Sequence, residues 1–500
     1  MENEKKRKIV RYAVTGYLII QVLALLLYYF VSCPEKITTV SKEHTEQPPV
    51  FPDYRSVTIP YNIAPLNFRL EIPVEACYAK VEGSGSDALE CYGTDQIRFT
   101  PKEWSALLSE NKGRSFSVTV STCTDGEWTR WAPFSITVSE RPIDSHLVYR
   151  LIEPGYEKWH IVGIYQRDLE SFDERPIIRN DMTGYNCVNC HSFCMNDPNR
   201  MMFHMRAENG GTYLVQDGRI EKLNTKTDGT ISNMTYPYWH PSGNYITTSV
   251  NDIRQFFHSV KEKKMEVFDL ESDVIVYDVK RNEILSKASL ITKDAFETFP
   301  SFSPDGKWLY FCSAPARQMP ADYDKVRYNL CRVAFDADKG EIQFPVDTLV
   351  WADSLSYTFP RISPDGRFLM YTETAYGQFP IWHTDAEIRM LDLENRTQVD
   401  MSALNSPDTE SYHSWSSHSD WVVFSTRRDN GLYTLPYISL IGKDGTPSKP
   451  FLLPQADPDA YDFQLYSYNI PEFAKGAVEV SPYAIQEAAR KNKPVQVRFK

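Results

Sequence analysis

The sequence predicts an all-β protein whose larger part is a β-propeller, preceded by a small β-sandwich and an N-terminal membrane segment. Three observations carry this expectation. The composition is rich in turn formers and aromatics, with 32 Pro and 30 Tyr in 500 residues, which favours short strands and tight turns over long helices. Apolar residues alternate with a period of two in segments such as Phe116 to Val120 and Phe134 to Val138, the pattern of half-buried strands. A strand-turn-strand unit then recurs about 60 residues apart through the second half of the chain.

The elements follow in order. The basic cluster Lys5-Lys6-Arg7-Lys8 precedes an uncharged run from Tyr12 to Cys33, long enough to cross the hydrocarbon core of a bilayer. Positive charge on its N-terminal side alone keeps that end in the cytoplasm and exports the rest. Residues 1–33 are therefore expected to tether the body to the cell envelope, in the periplasm or the extracellular space. Two endings stay open: an uncleaved signal anchor, or a lipoprotein signal in which Phe30-Val31-Ser32-Cys33 serves as an acylation site. Residues 34–55 read as a linker, with Pro48 and Pro49 and little periodic apolar character. Residues 56–145 read as the β-sandwich, whose strand rhythm resembles an immunoglobulin-like or fibronectin type III-like module.

Four segments align in the remainder. They begin at Tyr236-Pro237, Phe299-Pro300, Phe359-Pro360 and Tyr412-His413, and the middle two continue into Ser303-Pro304-Asp305-Gly306 and Ser363-Pro364-Asp365-Gly366. Pro and Gly set a tight reversal between two strands. One four-stranded unit of this kind cannot bury both faces alone, so several must stack around an axis. The Ser-Pro-Asp-Gly turns resemble the repeats of TolB-like β-propellers, over residues 146–470. A fifth repeat begins near residue 191, and a sixth is expected from strands near 160–165 pairing with C-terminal ones, for six blades. Residues 471–500 read as a helical tail, with a capped helix from Ser481 to Arg490.

The sharpest motif is Cys187-Val188-Asn189-Cys190-His191. Cys-x-x-Cys-His is a c-type cytochrome haem attachment motif: two thiols reach the vinyl groups of one haem and the adjacent imidazole reaches iron. Composition alone would produce about 0.003 such matches in a chain of this length. The resemblance implies one covalent haem c, with Cys187 and Cys190 as anchors and His191 as proximal iron ligand. For the second axial position, Met195, Met201, Met202, His204 and Met205 follow closely, and His204 is the first choice because imidazole binds iron in either oxidation state. Against this, His204 and the methionines also suit ordinary positions in a packed strand. On the repeat alignment His191 stands where Pro300 and Pro360 stand, so the motif opens a blade.

Other candidates read as structural. Asp305 and Asp365 are turn formers, Arg427 to Gly431 is a hairpin turn, and His413 and His418 are substitutions within a repeat. No Gly-x-Ser-x-Gly nucleophile elbow occurs, which argues against the hydrolases that carry propellers. A net charge of −12 without a basic stripe argues against nucleic acid as a partner. Of nine cysteines, six beyond the motif and Cys33 could form disulfides, with Cys312 and Cys331 or Cys77 with Cys91 or Cys123 as candidate pairs. The function expected is a tethered c-type haem protein that transfers or senses electrons with an envelope redox partner. The competing expectations are a propeller scaffold that binds envelope proteins or peptides, and a redox pair formed by Cys187 and Cys190.

Overall fold

The computed structural model describes residues 15–17, 21, 40–85, 88–153, 161–260 and 263–500. The membrane segment expected at 1–33 lies almost wholly outside them. No helix among the described residues is long and apolar enough to cross a membrane.

The chain is all-β and of propeller type. Six mainly antiparallel sheets succeed one another, each starting with an innermost strand: Val188–Cys194 in sheet I, Met234–Trp239 in sheet II, Ala295–Phe302 in sheet III, Ser356–Ile362 in sheet IV, Glu410–Trp415 in sheet V and Ser467–Ala474 in sheet VI. The first four strands of each of sheets I to V are local in sequence. Sheet VI is not: its innermost strand comes from the C-terminal end and pairs with His146–Ile152, then Gly163–Asp168 and Glu174–Arg179. The last strand thus pairs with the first and closes the ring of sheets.

Neighbouring sheets are held by shared apolar clusters. Met202 and Leu214 of sheet I pack with Trp239 and Ile246 of sheet II, Val274 of sheet II with Leu309 and Phe311 of sheet III, and Tyr310 with Leu369 and Tyr371 across sheets III and IV. The Ser-Pro-Asp-Gly turns form as expected of turn residues. Ser303 Oγ donates to Asp305 Oδ1 at 2.6 Å and accepts from the Trp308 N–H at 2.9 Å, while Gly306 takes φ +72°. That left-handed conformation strains any side chain.

Residues 34–55 are a correction: they are not a free linker from residue 40 onward. Val40–Glu43 pairs in parallel with Glu127–Arg130, and Val50–Phe51 pairs with Phe68–Leu70. The preceding domain contains a seven-stranded and a three-stranded sheet. It also carries a helix, Pro101–Glu110, with Pro at its start and Trp104, Leu107 and Leu108 buried; strand rhythm did not foretell it. This domain is docked on the propeller. Arg141 binds Asp420 at 2.7 Å, and Asp144 accepts from Ser417 Oγ at 2.6 Å and Ser417 N at 2.7 Å. In the tail, helix Pro482–Lys491 is capped by Ser481, and two further strands, Val495–Gln496 and Arg498–Phe499, extend the outer edges of sheets I and II.

The eight described cysteines are free. Register explains two of the candidate disulfides. Cys331 stands opposite Phe311 and Cys312 opposite Leu330, so the two thiols leave on opposite faces of sheet III. Cys123 stands opposite Ala76, not Cys77, with the same consequence. Cys77 and Cys91 share a face but lie diagonally, since Cys91 is opposite Ala79.

Candidate functional site: the axial waist and its two cavities

Each innermost strand breaks its ladder at an equivalent place. The residues there are Cys190, Tyr236, Phe299, Phe359, Tyr412 and Ile470, and all six have φ between 48° and 55°. The pairing register shifts at the same point in every sheet. Each is a β-bulge, which re-aims the following side chain. A positive φ is costly for bulky and β-branched residues, so its sixfold recurrence marks a position the ring imposes.

Four of these residues form an aromatic waist. Ring centroids are 4.4 Å apart for Tyr236 and Phe299, 4.0 Å for Phe299 and Phe359, and 4.8 Å for Phe359 and Tyr412. The waist divides the axial space. Residues ahead of the bulges, including Cys187, Asn189, Thr235 and Asn469, line a cavity of about 790 Å³. Residues after them, including His191, Pro237, His413 and Pro471, line a smaller one of about 90 Å³. Cys190, Tyr236, Tyr412 and Ile470 touch both.

The Cys187 to His191 motif therefore straddles the waist. Cys187 and Cys190 open on the larger cavity, Cys190 at its floor and 7 % exposed. His204 lines the same cavity from strand Asp197–Met205, in register with Asn189. It is buried, with Nδ1 3.3 Å from Thr212 Oγ1, and burial pushes its pKa down to about 4. Met201, Met202 and Met205 are buried in the packing of sheet I, and Met195 lines the smaller cavity.

His191 turns the other way. It is 2 % exposed, neither ring nitrogen has a hydrogen-bond partner, and burial drives its pKa down to about 3. Its ring faces the backbone of Val148 and Ile470 in sheet VI. His413 repeats this arrangement: it is buried, unpartnered at both nitrogens, lowered to about 3, and set against the backbone of Met370 and Phe359 in sheet IV. Ile470 and Phe359 are equivalent bulge residues, and Val148 and Met370 stand at the same register in their sheets. The two histidines thus fill one repeated niche, which Pro237, Pro300, Pro360 and Pro471 fill elsewhere.

These facts test the expected haem. The two thiols and the 790 Å³ volume suit a porphyrin, whose binding pockets fall in the range of about 300 to 1,000 Å³. His191 does not fit as its proximal ligand in this conformation, because it opens on the other cavity. Among the described residues no group of three or more His, Cys, Asp or Glu could hold a metal ion on its own. For the redox-pair expectation, burial raises the Cys190 thiol pKa, which disfavours the reactive thiolate.

No family model matches the sequence, and no curated protein matches it. Among solved structures it is similar to an oligogalacturonate lyase in complex with manganese, at 13 % identity and a TM-score of 0.33, covering 59 % of this chain and 70 % of that one. It is also similar to a Mycobacterium tuberculosis puromycin-hydrolyzing peptidase, at 12 % identity and a TM-score of 0.34, covering 80 % and 57 %. A third is a DUF4784 family protein from Bacteroides caccae, at 8 % identity and a TM-score of 0.30, covering 75 % and 98 %. The chain spans about half the length of the peptidases it resembles, 57 % of this one and 45 % of a puromycin hydrolase.

The residues that sequence reasoning missed are Arg150, Arg206 and Arg427, which all line the larger cavity. No motif marks Arg150 or Arg206, and Arg427 reads in the sequence only as part of a hairpin turn. Only the ring brings together side chains from sheets VI, I and V.

The buried ionisable groups predict a pH dependence. Burial raises Asp269 and Glu297 to about 7 and Glu472 to about 8. Each raised carboxyl stabilises most below its unfolded pKa of about 4 and loses that contribution as pH rises to its folded value. The lowered histidines act oppositely, losing stability as pH falls from about 6.5 towards their folded values. The two effects oppose each other between pH 4 and 6.5, and only the carboxyl loss remains above. The urea midpoint is expected to fall between pH 6.5 and 8, and Glu472→Gln to flatten the upper part of that fall; a midpoint that rises over this interval contradicts the assignment.

Proposed function

We propose that this chain is a membrane-tethered c-type haem protein built on a six-bladed TolB-like propeller, working in envelope electron transfer or redox sensing. The single observation that carries the reading is that both thiols of the motif and the His204 imidazole open on one axial cavity of about 790 Å³. Cys187 and Cys190 would anchor the porphyrin through thioether bonds, and a haem so held supplies one-electron chemistry. His204 is the imidazole on the thiol side of the waist. The chain's own contribution is enclosure, since the aromatic ring from Tyr236 to Tyr412 closes the cavity floor. The six-blade count is supported by the six bulged innermost strands, and the tether by the uncharged run ending at Cys33.

Protein expressed with a cytochrome c maturation system is expected to keep its haem through denaturing electrophoresis and to lose it in Cys187→Ser and Cys190→Ser. His204→Ala should shift the absorption spectrum. A colourless wild-type band rules the reading out.

A second reading has its own observation, the equivalence of His191 and His413. If the motif's histidine is a repeat residue, the chain is a non-catalytic scaffold whose axial cavity binds an envelope protein or peptide. His191→Pro separates the two. The scaffold reading expects a folded, fully functional variant, because Pro occupies four of the six equivalent niches; the haem reading, in which attachment would turn the His191 imidazole across the waist to iron, expects loss of the haem spectrum.

A further inference from the structure

The larger cavity carries a chemistry that the cysteine pair does not use. Arg150 from strand His146–Ile152, Arg206 just past Asp197–Met205 and Arg427 just past Trp421–Thr426 converge on it from three sheets. In a chain of net charge −12, exposed cations readily find carboxylates. Among the described residues, Arg150 and Arg206 make no ion pair, although both line a cavity in an acidic protein. Arg150 Nε is buried without a hydrogen-bond partner, and its Nη2 reaches only the Asn469 amide oxygen, at 3.2 Å with that amide turned to accept it.

Arg427 is more constrained. Its side chain is 1 % exposed, Nε and Nη2 bind Asp408 Oδ1 at 3.0 and 2.6 Å, and the guanidinium lies 4.8 Å from the centre of the Trp382 ring. Nη1 remains without a partner. A buried charged donor with no acceptor is costly, and an arriving anion removes that cost. The acidic groups on the lining are already engaged: Asp252 binds Arg254 at 2.8 Å, and Glu153 also has a partner. They do not neutralise the arginines.

We propose that the larger cavity binds the carboxylates of an amphipathic organic anion. Arg150 and Arg206 are its direct partners, Arg427 is a buried third, and Trp382 and Tyr412 are apolar walls. The carboxylates could come from two sources, the propionates of a porphyrin held at Cys187 and Cys190 or a free organic acid. The arginines stand in either case, so the inference goes beyond the haem reading and does not depend on it.

The full chain, purified without haem maturation, is titrated with protoporphyrin IX and its dimethyl ester, and separately with benzene-1,3,5-tricarboxylate and its trimethyl ester, following tryptophan fluorescence. At least tenfold tighter binding of one acid over its ester is expected. Arg150→Gln and Arg206→Gln should each cut that preference at least fivefold, and Arg206→Lys should keep most of it. Arg206 is exposed, so its variant tests the site without threatening the fold; melting temperatures control for Arg150. Preference confined to the porphyrin pair assigns the carboxylates to propionates, and preference confined to the small acid assigns them to a free ligand. Equal binding of acid and ester in both pairs, no binding of either acid, or a preference unchanged in both Gln variants overturns the proposal. A chain that never stains for haem yet prefers an acid leaves the anion site standing and removes only the haem.

Discussion

Truncation after Tyr466 is expected to abolish cooperative folding, while truncation after Gly476 leaves a folded protein with one urea transition. The first cut removes Ser467–Ala474, the innermost strand of sheet VI, whose partners in His146–Ile152 lie more than three hundred positions earlier. Without it the inner edge of that strand is unpaired, a template for aggregation. The cut also removes Ile470 from the waist and Phe473, which is fully buried. A ring of sheets has no other way to close, because each of the other five draws its innermost strand from its own stretch of sequence. The second cut keeps every innermost strand and removes Val478, helix Pro482–Lys491 with its buried Ile485 and Ala489, and the two short edge strands, a loss of packing on sheets VI, I and II that leaves the ring closed. Circular dichroism with denaturant titration on both truncations is the measurement. A cooperative transition of wild-type amplitude in the shorter chain would contradict the closure described here.

Phe299→Ala is expected to destabilise the protein by about 3–5 kcal/mol, the usual cost of emptying a large aromatic site in a packed core. Phe299 is 1 % exposed and lies between the Tyr236 and Phe359 rings, with centroids at 4.4 and 4.0 Å and the rings tilted. Its neighbours are other bulge residues held by their own strands, so they cannot collapse into the space. The backbone adds a second expectation. Because φ is 48° at this position, Phe299→Gly should be more stable than Phe299→Ala by about 1 kcal/mol, the reverse of the order within an ordinary strand. Urea midpoints of the two variants decide it. An Ala variant more stable than the Gly variant would mean that the bulge relaxes when the ring is removed.

Much of this architecture was legible in local pattern. The repeats beginning at Phe299-Pro300 and Phe359-Pro360 carry their own turn chemistry in Ser303 to Gly306 and Ser363 to Gly366, so two adjacent strands and the reversal between them can be read from one short stretch. The place of His191 in the repeat was legible as well, because Ser192-Phe193-Cys194 aligns with Ser301-Phe302-Ser303. The sixth repeat, Ile470-Pro471, carries the same bulge, yet no turn follows it, since its partner strand comes from the far end of the chain. The helix Pro101–Glu110 was missed because its three buried residues fall in a stretch too short for a clear helical period.

By itself, then, the sequence determined the all-β class, the repeated strand-turn-strand unit and the rare Cys187 to His191 motif, because each is written in contiguous residues. The tertiary structure decided which strand closes the ring, that the motif crosses an aromatic waist with Cys187 on one side, His191 on the other and Cys190 between them, and that three arginines distant in sequence share one cavity. Those outcomes depend on long-range pairing and on the sign of one backbone angle, and no local pattern of residue types encodes either.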